Sequence, residues 1–101
     1  MNEDATQVSE AVVVWTGYGQ SSWPVRDQAR LAERYGPEET RDLLPRVRQL
    51  EEDFYNSDAR LAVPDLATMG EVAAGQFRQS HPEVSEEAVK ALAWCYAYDY
   101  K

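Results

Sequence analysis

The sequence is short of the groups that usually carry chemistry. His81 and Cys95 are its only histidine and cysteine, so it cannot form an intramolecular disulfide or assemble an ordinary His/Cys metal site. A single cysteine is typical of a reducing compartment, and we expect a cytoplasmic protein. Its apolar runs fall far short of about 18 residues, and no basic segment precedes an apolar one near Met1. We therefore expect neither a membrane span nor a secretory signal.

The chain also lacks the complete form of a phosphate-binding loop. Residues 12–24, VVVWTGYGQSSWP, run from an apolar segment into Gly17-Tyr18-Gly19, which resembles the start of such a loop. A dinucleotide site needs a third glycine in a βαβ unit, and a P-loop ends in Gly-Lys-Ser/Thr. Here the first lysine is Lys90. We expect a turn at this point, and no cofactor.

Positive charge is the scarcer sign. The net charge is −8 over 101 residues, and residues 51–101 hold ten acids against four basic residues. An acidic surface repels nucleic acid and anionic lipid, and it attracts basic proteins. The same charge would also serve simply to keep a small domain in solution. Three arginines recur at four-residue spacing (Arg26, Arg30 and Arg34), but acids lie between them, which is typical of a mixed-charge helix surface.

The apolar residues follow a helical period. Each of three segments has one apolar face of the kind that amphipathic helices bury. These faces comprise Val25, Ala29, Ala32 and Tyr35; Leu43, Val47, Leu50 and Phe54; and Leu66, Met69, Ala73 and Phe77. The pattern predicts an all-α fold, a single domain over 1–101 with about five helices, with residues 1–5 disordered. One helix is expected to kink at Pro45, which lies inside an apolar face that stays in phase.

The first apolar run is ambiguous between helix and strand. Three consecutive valines in AVVVW (11–15) have high strand propensity, but no later segment alternates in a way that would provide a partner strand. Val8, Ala11, Val12 and Trp15 also share one helical face. We favour a helix from Thr6 to Thr16, with Gly17 as its C-cap. Trp23 is expected to anchor the start of the second helix, which leaves Tyr18 to face outward.

Turn and cap residues divide the rest. Gly36 and Pro37 are expected to end one helix and begin the next, and residues 55–65 read as a loop. His81 is expected at a helix C-terminus, and Ser85 as the N-cap of the last helix. That helix (88–100) is apolar on nearly all sides, so it is either central to the fold or covered by a partner. Cys95 lies on it without a nearby cation, as a buried structural cysteine does.

Acids are crowded at the end of the third helix. Glu51, Glu52 and Asp53 stand where the helix dipole disfavours negative charge, beside Tyr55 and shortly before Asp58. Consecutive carboxylates on a helix point in different directions, so a catalytic pair is not expected. Acids beside aromatic rings suit an Arg- and Lys-rich surface. The full set of predicted partner-binding residues is Tyr18, Glu51, Glu52, Asp53, Tyr55, Asp58, Trp94 and Tyr98.

These patterns predict a protein-binding module and not an enzyme. The most concrete form is an immunity-type inhibitor of a basic protein such as a nuclease toxin. The preference for arginine over lysine, eight to two, suggests a bacterial source. The alternative is a structural or regulatory subunit that docks through its apolar, aromatic C-terminal helix on another protein or on a second copy of itself.

Overall fold

A computed structural model describes residues 3–62 and 64–100, which form helices joined by turns and contain no strand. The helices are α1 (Glu3–Thr16), α2 (Gln28–Tyr35), α3 (Pro37–Tyr55), α4 (Ala59–Ala62), α5 (Leu66–Ser80) and α6 (Glu86–Asp99). α4 is a single turn that follows α3 after a bend at residues 56–58. The all-α prediction, with about five helices, is confirmed.

The first apolar run is helical, as its spacing predicts. α1 begins at Glu3, earlier than the predicted Thr6, and ends at Thr16. The disorder expected over 1–5 stays a prediction, and Met1 and Asn2 lie outside the described residues. Gly17 has φ 79°, and its N–H donates to the carbonyl of Val13, so it ends α1 as a glycine C-cap does.

The bend between helices is not at Pro45. α3 continues through Pro45, because Leu43, Val47 and the rest of its apolar face are buried in the core on both sides of the proline. The chain bends at 56–58, where the Ser57 hydroxyl accepts from the N–H of Ala59 and donates to Gln76. The prediction was wrong because burial of a continuous face outweighed the one backbone hydrogen bond that proline removes.

Two other boundaries differ from expectation. Residues 55–65, predicted as a loop, contain the turn α4, which Tyr96 supports through its hydroxyl: it accepts from the N–H of Arg60 and donates to the carbonyl of Ser57. α2 begins at Gln28 with Asp27 as its N-cap, so Val25 and Arg26 precede it instead of forming its first turn.

α6 is the central helix. It packs against α1, α3 and α5, and Leu92, Cys95 and Tyr96 have no exposed surface. Its N-cap is Ser85, as predicted. Contact with three neighbouring helices explains why α6 is apolar on so much of its circumference. The core that surrounds it draws side chains from α1, α2, α3 and α5.

Candidate partner-binding surfaces

Three of the predicted residues share one groove. This groove, here called the α3 groove, has a volume of about 620 Å³ and runs between the end of α1, the start of α2 and the second half of α3. Its lining residues are Trp15, Arg26, Gln28, Arg48, Glu51, Glu52 and Tyr55. Its floor is apolar, since Trp15 is 4% exposed, and its walls are charged.

Arg26 holds the α3 groove together. Its Nε donates to Glu51 at 2.5 Å, and its Nη2 donates to the Tyr55 hydroxyl and to Asp99 Oδ2, both at 2.8 Å. The Tyr55 hydroxyl in turn donates to the same Asp99 oxygen at 2.5 Å. We call these four side chains the Arg26 clasp. The clasp joins the segment before α2 to the ends of α3 and α6.

Burial and charge shift the ionisation of the Arg26 clasp. Partial burial by itself would lower the pKa of Arg26, but the hydrogen bond and charge of Glu51 outweigh it and raise that pKa. Burial raises the pKa of Tyr55, and its hydrogen bond to Asp99 raises it further. Both shifts keep the guanidinium protonated and the phenol neutral throughout the ordinary pH range. The four side chains of the clasp therefore form a structural network of ion pairs and hydrogen bonds.

Asp53 faces away from the α3 groove. Its carboxylate lies 2.9 Å from Nε2 of His81, whose Nδ1 lies 3.1 Å from Glu83. The His81 ring also packs on Phe77, with centroids 4.7 Å apart. His81 is the C-cap of α5, as predicted, and it ties that cap to the last turns of α3. Consecutive acids of α3 thus point in different directions, and Asp53 has a partner within the chain.

Glu52 and Asp58 are the exposed acids of the predicted set. Among the residues that the structure describes, neither side chain makes an ion pair or a hydrogen bond. Glu52 precedes Tyr55 by one helical turn, and Asp58 follows it as the last residue of the bend. These two carboxylates therefore remain available to a partner.

Tyrosine rings cover the place where α3 and α6 end. Tyr55, Tyr96 and Tyr100 pack with ring centroids 4.9–5.9 Å apart, and the guanidinium of Arg60 lies over Tyr100 at 5.1 Å. Tyr100 is 39% exposed and Tyr98 is 40% exposed. Large, half-exposed aromatic rings are common at the centre of protein interfaces.

Tyr18 and Trp94 belong to a second groove. This α5–α6 groove has a volume of about 480 Å³ and runs along the hairpin of the last two helices. Tyr18 and Trp94 meet edge to face at its wall, with centroids 5.5 Å apart. Its other lining residues are Leu66, Ala67, Gly70, Glu71, Ala74, Arg78, Val89, Lys90, Ala93 and Ala97.

The turn after α1 sets the position of Tyr18. Arg30 lies beneath Gly17 and donates to the Ser21 hydroxyl at 2.8 Å. Beyond the turn, the N–H of Val25 donates to the carbonyl of Thr16, which brings the chain back over the end of α1. Tyr18 is therefore half-buried against the core and does not face freely outward as predicted. Trp23, predicted to anchor α2, is instead 57% exposed.

The single thiol of the chain lies in the interior of the fold. Cys95 is buried, as predicted, and burial raises the pKa of its thiol to about 12. Residues 3–62 and 64–100 hold no cluster of three His, Cys, Asp or Glu side chains that would suit a metal ion. Over the same residues, no helix has both the length and the hydropathy that crossing a membrane requires.

Sequence reasoning missed the residues that make these surfaces rigid. Arg26 was assigned to a helix surface, although it joins groups 25, 29 and 73 positions away along the chain, and no local pattern records such contacts. The α5–α6 groove did have a signal, since Gly70 and Ala74, like Ala93 and Ala97, are small residues one helical turn apart.

No family model, curated protein or solved structure matches this chain.

Proposed function

We propose that the chain is a non-enzymatic protein-binding module whose partner is a basic protein. Its most concrete form is an immunity-type inhibitor that neutralises a basic toxin, such as a nuclease, in a bacterial cytoplasm. The observation that carries the proposal is the half-exposed ring of Tyr100, which packs on Tyr55 at the end of α3, together with two unpaired acids, Glu52 and Asp58, which precede and follow Tyr55 by three residues. Tyrosine rings supply contact area, and carboxylates select Arg and Lys.

The acids divide into two roles under this proposal. Glu51 and Asp99 are held by Arg26, and Asp53 by His81, so they shape the surface and contribute little free charge. Glu52 and Asp58 are the acids that meet the partner. The net charge of −8 acts at longer range and raises the rate of encounter with a basic protein.

Charge reversal tests the proposal. The partner would be recovered from the native host with immobilised chain, purified, and titrated against the wild type and the double variant Glu52→Lys/Asp58→Lys. We expect the variant to weaken the affinity at least about 10-fold, because two attractive contacts become repulsive. Wild-type affinity should also fall as salt is raised from about 50 to 500 mM, since screening shortens the reach of charge.

A matched control separates a local contact from net charge. Glu33→Lys/Asp42→Lys changes the net charge equally and alters exposed acids, with Asp42 lying about 15 Å before Glu52 along α3. The control should slow association slightly and leave the dissociation rate unchanged. Equal weakening by both double variants would contradict the proposed surface, and an affinity independent of salt would contradict a basic partner.

A second candidate function is a structural or regulatory subunit that docks through α6. The α5–α6 groove favours it, because Trp94 and Tyr18 line an open hollow beside Leu66, which is 40% exposed. This surface is separate from Glu52 and Asp58, so charge reversal at those acids would leave docking through the groove intact.

A further inference from the structure

The α5–α6 groove carries no excess of acids, although the chain as a whole does. The chain carries −8 in total, yet the groove is lined by one acid, Glu71, and two cations, Arg78 and Lys90. Arg78 is paired with Glu86. What remains is one exposed acid on α5 and one exposed cation on α6, so a negatively charged protein meets no net repulsion at this site.

We propose that a second copy of this chain occupies the α5–α6 groove, forming a homodimer with two-fold symmetry. This inference rests on the second candidate function and names its partner. A two-fold interface must be self-complementary, because each contact from one copy is repeated by the other. A wall with one acid facing a wall with one cation meets that condition, and a uniformly acidic surface does not.

The register of the hairpin determines which residues would meet. Arg78 pairs with Glu86 near the turn, and a Cβ on Gly70 would lie 3.8 Å from the carbonyl oxygen of Ala93, so α5 and α6 run antiparallel. A two-fold axis along the groove would lay α5 of each copy over α6 of the other. Glu71 of one copy then comes within about one helical turn of Lys90 of the second copy, a gap that two long side chains can span.

The apolar lining suits helix packing between copies. The floor contains Gly70, Ala74, Ala93 and Ala97, and small side chains permit helix axes to approach to about 8 Å. Leu66 stands at the edge, 40% exposed, where it can cover apolar surface of the second copy. Two such hairpins together form a four-helix arrangement, which is a common way to bury helix faces.

Sedimentation equilibrium from about 1 μM to 1 mM tests the association directly. The wild type should show a reversible monomer–dimer equilibrium. Ala97→Arg places a long cation on the floor of the groove and should remove the dimer from this range. Its circular dichroism and thermal unfolding midpoint should stay close to those of the wild type, because Ala97 is only partly buried.

Charge exchange tests the register. Glu71→Lys sets two cations against each other in both halves of the dimer, and Lys90→Glu does the same with two acids. Each single variant should have a dimer dissociation constant at least about 10-fold higher than that of the wild type. An equimolar mixture of the two variants restores both opposite-charge pairs and should form a heterodimer with nearly wild-type affinity.

Controls with the same net charge are available outside the groove. Glu33→Lys matches Glu71→Lys, and Arg41→Glu matches Lys90→Glu; both control positions are exposed. These controls should dimerise like the wild type apart from a small effect of overall repulsion.

A wild type that remains monomeric at 1 mM would overturn the proposal, as would a mixture of the charge variants that fails to associate. The broader docking function would fail separately. If Trp94→Ala left the capture of every host protein unchanged, α6 would not be a docking helix for any other protein.

Discussion

The α3 groove and the α5–α6 groove keep their shapes by different interactions. In the α3 groove, Arg26 holds Glu51, Tyr55 and Asp99 in fixed places, so these polar side chains are already paired within the chain. In the α5–α6 groove, Gly70 and its small neighbours let two helix backbones come close, and apolar surface remains open. An acidic sequence thus yields fewer free acids than its composition suggests, and the less charged groove is the one that keeps apolar surface open.

The largest loss of stability is expected at Gly17, in the turn that carries Tyr18 to the α5–α6 groove. Gly17 has φ 79°, and an added Cβ would lie against the Arg30 guanidinium and 2.9 Å from the Ser21 hydroxyl. Gly17→Ala should therefore lower the free energy of unfolding by about 2–3 kcal/mol, through backbone strain and the displaced arginine. Urea unfolding followed by circular dichroism measures this change.

Gly19→Ala is the control for Gly17→Ala. Gly19 also has a positive φ, 84°, but no atom lies within 4 Å of a Cβ there. Gly19→Ala should therefore lower the free energy of unfolding only through the strain of a positive φ, by about 1 kcal/mol. Equal effects at the two positions would contradict the role of Arg30 in supporting the turn that carries Tyr18.

Removing the cation of the Arg26 clasp should have the next largest effect. Arg26→Met keeps much of the side-chain volume and leaves Glu51, Tyr55 and Asp99 without their shared donor. Because hydrogen bonds to charged groups are the stronger ones and the Arg26 side chain is 30% exposed, we expect a loss of about 1–2 kcal/mol. Thermal and urea unfolding should agree on the change.

Arg48→Met is matched to it within the same groove. Arg48 is exposed, and among the described residues its side chain forms no hydrogen bond or ion pair. Its replacement should change stability by less than about 0.5 kcal/mol. If both variants lost the same stability, the clasp would contribute nothing beyond general electrostatics.

Gly70→Ala should stabilise the folded monomer and weaken its self-association. The new methyl group would make an ordinary contact, 3.8 Å from the Ala93 carbonyl oxygen, and alanine favours helix more than glycine. The free energy of unfolding of the monomer should rise by about 0.5–1 kcal/mol. The same methyl narrows the floor of the α5–α6 groove, so self-association measured by sedimentation should weaken. A variant that stabilised both would argue against close helix approach at that floor.

Local patterns in the sequence were enough for the helices but not for their supports. Apolar spacing predicted α1, α2, α3 and α5, because burying one helical face is the main driving force for each. The bend was misplaced at Pro45 because its position depends on Ser57, Gln76 and Tyr96, which lie far apart along the chain. The tendency of proline to bend a helix is a local property of that helix, so it does not include contacts with distant residues.

The predicted surface residues were recognised by type, and their pairing was not. Glu51, Asp53 and Tyr55 each have partners more than 20 residues away, so their availability to another protein could not be judged from spacing. Trp94 and Tyr18 were separately named, but their contact depends on the turn that Gly17 and Arg30 build. Composition located candidate residues, and tertiary contacts determined which of them remain free.

The smallest predicted effect concerns acid and the edge of the α5–α6 groove. Asp65 caps α5 immediately before Leu66, and its Oδ2 accepts from the backbone N–H and the hydroxyl of Thr68 at 2.9 and 2.8 Å. These hydrogen bonds lower the pKa of Asp65, the backbone one most. A carboxylate whose pKa is lower in the folded state stabilises the fold above its unfolded pKa, near 3.9, and loses that contribution as pH falls through the folded value.

Asp65→Asn isolates this contribution, because asparagine can still accept the capping hydrogen bonds but does not titrate in this range. We expect the wild type to be slightly more stable than the variant at pH 7, and the difference to shrink as the pH falls from the unfolded pKa through the lower folded one. Urea unfolding of both proteins at pH 7, 5, 4 and 3 measures it. Gly19→Ala, remote from that cap, should show the wild-type pH dependence of stability. A stability difference unchanged between pH 7 and 3 would mean that the negative charge of Asp65 contributes nothing to the cap.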